Sequence, residues 1–128
     1  MGLMKEIEGL SLEEKIELSA ELIELIAEEK KIIKAQREAT AQRLKDRICE
    51  LVGIQYDAED RHREFIVART ILADTLQKRG YSQRETARIL GKDHAAIYHM
   101  NKKLAEWKSV PMCYRQELEL LNKINSQI

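Results

Sequence analysis

The sequence predicts an all-α protein: a long N-terminal helical arm followed by a compact helical domain. Three observations lead there. From Ser11 to Val52 there is neither Gly nor Pro, and Glu, Lys, Ala, Leu, Ile and Arg dominate, residues that lose little on entering a helix. The 128 residues hold one proline and five glycines, with 44% apolar and 34% charged side chains, a mixture suited to amphipathic helices. Beyond residue 60 the apolar residues return every three or four positions, the helical period.

Taken in order, Ser11–Val52 reads as one long helix or a tight helical hairpin. Leu18, Leu22 and Leu25 form one apolar stripe, and Ile16, Ile23 and Ile26 form another beside it, a surface broader than a two-stranded seam. Further along, Ala41, Leu44, Ile48 and Leu51 repeat in a shifted phase, and Gly53 ends the helix. The polar stretch Ile54–Arg63 leads into a helix starting near Glu64, with Phe65, Ala68, Leu72 and Leu76 on one face and Gly80 closing it. Ser82 and Glu85 have the spacing of a capping box, so a short helix should run to Leu90 with Thr86, Ile89 and Leu90 inward and Arg84 and Arg88 outward. Gly91 supplies a turn, and Asp93 caps a second helix in which Ile97, Met100, Leu104 and Trp107 face the core. Pro111 separates a last helix carrying Leu118, Leu121 and Ile124. A short helix, a glycine turn and an amphipathic helix are the parts of a helix-turn-helix. The division expected is an acidic arm at 1–39, a helix-turn-helix domain at 40–108 and a C-terminal helix folding back on the core at 109–128.

The net charge is zero, but its distribution is uneven. Residues 1–30 hold three Lys and nine Glu, a net of −6, whereas 31–56 and 57–108 each carry +3. DNA affinity follows the local density of Lys and Arg that face phosphates, so neutrality of the whole does not exclude it. No secretion signal and no apolar run of about 18 residues is seen, so neither secretion nor a membrane partner is expected, and the protein is expected to be cytoplasmic. Cys49 and Cys113 fit no disulfide framework and read as reduced packing residues. His94 and His99 are five apart with no third ligand nearby, so no metal or cofactor is expected. No nucleophile–base or paired-carboxylate arrangement suggests an enzyme with a small-molecule substrate.

The capped helix after Gly91 is the most informative segment. At about 100° per residue, Ala95, Tyr98, His99 and Lys102 share the side away from the core. Small residues, a histidine, an aromatic and a lysine on one helix face suit a major groove, where base edges and phosphates are both within reach.

The order RHREFIVART (Arg61–Thr70), a capped helix, then GKDHAAIYH (Gly91–His99) resembles the C-terminal DNA-binding domain of the bacterial replication initiator DnaA, over roughly Thr40–Trp107. That family binds short A·T-rich boxes in duplex DNA at replication origins. The resemblance implies a helix-turn-helix domain of the replication-initiator type, a minor-groove arginine at Arg61, a phosphate contact at Arg63 and a helix-start arginine at Arg69. It places Lys92, Asp93, His94, Ala95, Ala96 and His99 in the signature, to which Arg84 and Lys102 add basic contacts. The family's usual Thr pair is Ala95 and Ala96 here, and Thr70 stands where Gln is usual. The phosphate-binding loop of the initiator's ATPase is absent, so a reading head without ATPase is implied, acting in replication control or transcription, as in a phage or mobile element. The partners expected are duplex DNA and, through the arm, a second copy of the chain. A helical adaptor that uses the arm as its main interface is the alternative.

Overall fold

The computed structural model describes residues 9–128, so the first eight residues of the expected arm lie outside it. Among the described residues there are five α-helices and no strand: α1 (Leu12–Val52), α2 (Arg63–Lys78), α3 (Gln83–Leu90), α4 (His94–Ser109) and α5 (Arg115–Gln127). Of the two arrangements left open for the first segment, one continuous helix of 41 residues is found. It contains no breaker to turn it, and it ends where Gly53 adopts φ 85°. The chain divides into two compact units, 1–37 and 38–128, and the division falls within α1.

In the first unit the helix starts at Ser11, whose Oγ accepts from the Glu14 amide at 3.2 Å. Its apolar side chains are largely in water.

In the second unit α2 is the centre. It packs on α3, α4 and α5, and α4 also meets α3 and α5. The sequence suggested a single inward stripe, yet every residue from Val67 to Leu76 except Asp74 is buried. Two threonines are admitted to this interior because Thr70 and Thr75 donate their hydroxyls to the carbonyls of Ile66 and Ile71, one turn back, at 2.8 and 2.9 Å. Ala41, Leu44 and Ile48 of α1, Leu90 of α3, Ile97, Leu104 and Trp107 of α4, and Leu121 and Ile124 of α5 complete the core. Of the expected packing cysteines, Cys49 is buried and burial pushes its thiol up, whereas Cys113 is exposed, because it sits in the turn before α5.

Local chemistry fixes the helix ends in this unit. Ser82 accepts from the Glu85 amide and Glu85 accepts from the Ser82 amide, each at 3.1 Å, a complete capping box. Gly91 then takes φ 68°, a conformation that costs a residue with a Cβ, and Ala58 stands 3.5 Å from where that Cβ would be. Asp93 caps α4, its Oδ1 accepting from the Ala96 amide at 2.8 Å. Across the α2–α4 interface, Gln77 donates to Asn101 at 2.8 Å and Asn101 donates back at 3.1 Å.

Candidate nucleic-acid interface

The candidate surface is built on the outer side of α4. The core side of that helix carries the buried residues Ile97, Leu104 and Trp107. His94, Ala95, Tyr98, His99 and Lys102 are exposed, and Ala96 is half-buried at their edge. The rings of Tyr98 and His99 meet edge to face, with centroids 5.7 Å apart, and the Lys102 ammonium lies 5.4 Å from the Tyr98 ring centroid. The polar residues therefore form one contiguous patch.

Beside it run two adjoining grooves between α2 and α4, which share Ile66 and Lys103. One, of about 230 Å³, is lined by Lys92, Ala96, His99 and Lys103 among others, and its neighbour, of about 380 Å³, by Arg61, Arg63 and Lys103. Lys103 borders both, although the outer face read from the sequence, Ala95, Tyr98, His99 and Lys102, did not include it. What marks it out is its place on the boundary between the core and exposed sides of α4, and that is known only once the α2–α4 packing is known.

The loop that carries Arg61 is held from two sides. Tyr56 donates its hydroxyl to the Leu90 carbonyl at the end of α3, and burial pushes that hydroxyl up to about 12. Lys45 lies 4.2 Å above the Tyr56 ring centroid and donates to the Ile89 carbonyl at 3.4 Å. On the other side, Arg69 donates to the carbonyls of Asp57 and Asp60 at 2.8 and 2.6 Å. The structure thus gives Arg69 a different place from the exposed one expected of a DNA contact. It is buried beneath the loop, because its position on α2 points inward, and its charge is taken up by carbonyls.

The remaining expected residues differ in how free they are. Arg61 is exposed, and among the described residues it makes no hydrogen bond or ion pair. Arg63 is exposed but its guanidinium is paired with the buried Glu117 of α5. Burial pushes the Glu117 carboxyl up, but the Arg63 hydrogen bond and its own backbone amide outweigh this and leave it below its usual range. Lys92 lies 3.8 Å from Glu59. Arg84 is exposed on α3 and lines neither groove. The Asp93 carboxylate serves its own helix as a cap.

His62, which the sequence reading did not single out, adds to this edge. Asp60 Oδ1 is 2.6 Å from its Nδ1, and that hydrogen bond followed by the carboxylate's charge raises the imidazole above its ordinary value, favouring a cation beside Arg61. Its only sequence cue is the basic run Arg61–Arg63 in which it sits.

Among the described residues no group of three or more His, Cys, Asp or Glu could hold a metal ion, and no helix is long and apolar enough to cross a membrane. No protein family, curated protein or solved structure matches the chain.

Proposed function

We propose that the second unit binds duplex DNA in a sequence-specific way, with α3, the Gly91 turn and α4 acting as a helix-turn-helix of the replication-initiator type, without ATPase activity. The observation that carries this reading is the juxtaposition on one side of α4 of an exposed Ala95–Tyr98–His99–Lys102 face with a groove edge bearing Arg61, Lys92 and Lys103. In this reading α4 enters the major groove. His94, Ala95, Ala96 and His99 approach base edges, with the alanine methyls suited to thymine methyls. Lys102 and Lys103 meet phosphates, and Arg61 enters an adjacent narrow A·T-rich minor groove, where negative potential is concentrated. Arg69 and Tyr56 are positioning residues for the loop, and the capping role of Asp93 keeps the first turn of α4 formed. The biological setting would be replication control or transcription regulation in the nucleoid-associated cytoplasm. The arm would join two copies of the chain.

Fluorescence anisotropy of a labelled duplex containing the initiator family's A·T-rich box, against a scrambled duplex at two salt concentrations, tests the reading. Binding that favours the box and falls steeply with salt is expected. Arg61→Ala should weaken it by about 1–3 kcal/mol and relax the A·T preference. An unchanged footprint in that variant would remove the minor-groove role, and no binding at either salt would reject DNA binding by this unit.

A second reading, a helical protein adaptor, is favoured by the exposed apolar side chains of the arm. It separates cleanly from the first: charge reversal at Lys102 and Lys103 should abolish DNA binding but leave an adaptor's partner affinity intact.

A further inference from the structure

Among the described residues, the first unit presents a helix whose apolar side chains are largely exposed. Eight large apolar residues between Leu12 and Ile33 are exposed; Ile16 and Ile23 are 61% and 67% exposed, and Leu25 and Ile33 are 56% and 54%. A contiguous apolar surface of this kind marks a site of association. What covers it is indicated by the charge pattern. From Leu12 to Glu29 there are seven Glu and one Lys, a net of −6. From Lys30 to Arg37 there are four basic residues and no acidic one. The sign of the helix therefore changes along its axis.

Two such segments side by side in the same direction set acid against acid and base against base. In opposite directions and centred near Leu25, Lys30–Arg37 of each lies along Glu13–Ala20 of the other, which holds three Glu and one Lys, while the glutamates at 21–29 face each other in either direction. Packed helices are about 8–10 Å apart, within the Debye length of roughly 10 Å at 0.1 M salt, so the difference acts on the pair. We propose that this apolar face is the docking site for the same segment of a second copy, and that the two pair antiparallel, centred near Leu25. The proposal deepens the two-copy reading above and is independent of DNA. The acidic and basic segments make the pairing selective for direction, while the Leu and Ile side chains supply the area buried.

The test uses the full chain without DNA, carrying Cys113→Ser and Gln36→Cys, with a spin label at position 36. Sedimentation at micromolar concentration should show dimers. An antiparallel pair centred near Leu25 separates the two labels by roughly 30 Å along the axis, at about 1.5 Å per residue, whereas a parallel pair brings them to roughly 10–15 Å and lets the unlabelled cysteines form a disulfide readily. A long distance supports the proposal. A short one, or ready disulfide formation, overturns the antiparallel orientation while leaving a dimer standing, and a monomer overturns both. Reversing Lys30 and Lys34 to Glu should weaken the dimer about tenfold, since four pairings turn from attractive to repulsive at a few tenths of a kcal/mol each. Mixing that variant with Glu17→Lys, Glu21→Lys should restore association. Reversal that leaves the dimer unchanged or tightens it would overturn the proposal, because that is the response of parallel chains.

Discussion

The two ends of α1 are made of the same kinds of residue in the same secondary structure and meet opposite environments. Ala41, Leu44 and Ile48 are buried at 0%, 8% and 0% exposure, whereas Ile16, Ile23 and Ile33 remain more than half exposed. Helix formation over these 41 residues follows from local propensity and the absence of breakers. Burial depends on what the rest of the chain brings to each face. Apolar spacing thus announces that a helix face wants a partner, without saying whether that partner lies in the same chain.

Truncations along α1 and in the second unit test this contrast, with Trp107, buried in the core of that unit, as a fluorescence reporter of urea unfolding. The largest loss is expected from Ile48→Ala, about 2–5 kcal/mol, since it opens a cavity in a packed interior. Arg69→Met should follow at about 2 kcal/mol, because the carbonyls of Asp57 and Asp60 lose a charged donor; full stability would mean the loop does not depend on that anchor. Ser82→Ala should cost about 1 kcal/mol through the capping box, and a Ser82→Thr variant should recover most of it. Ile23→Ala, at the other end of α1, should change the unfolding of the second unit by less than about 0.5 kcal/mol. A loss there as large as that of Ile48→Ala would erase the contrast.

Acid provides a further probe. Glu117 has a folded carboxyl held below its ordinary value of 4.5, so its contribution is complete above that value and is lost as pH falls through the lowered one. The wild type should therefore lose stability on acidification more steeply than Glu117→Gln. Parallel pH profiles for the two would show that the Arg63 pairing does not support the fold.

What could be read in the sequence was local. The pair Ser82 and Glu85, the cap at Asp93 and the turn at Gly91 act over three or four residues, and each is found in the structure where its spacing put it. The core side of α4 was legible for the same reason, because one period of about 3.6 residues governs it. What escaped depends on distance along the chain. Arg69 is tied to carbonyls nine and twelve residues away, and Arg63 to a carboxylate 54 residues away, so no local pattern could mark either as occupied. The burial of α2 on nearly all sides was masked by Thr70 and Thr75, which look polar in sequence and satisfy their hydroxyls within their own helix. Lys103 owes its place to the packing of α4 against α2, which brings the two grooves together along it.

The reciprocal amide pair of Gln77 and Asn101 bears on how this surface could change over time. Apolar contacts alone tolerate several rotational settings of one helix on another, but a slip of α4 by one residue would swing Asn101 by about 100° and leave two amides unmatched. The setting of α4 is thereby specified by a side chain at the edge of its core side. Residues on the outer face, such as Ala95, His99 and Lys102, can be exchanged as a set while the helix keeps its orientation. Under the proposed DNA-binding role, such a scaffold can acquire a new target by replacing a few outward side chains without first having to find a new fold.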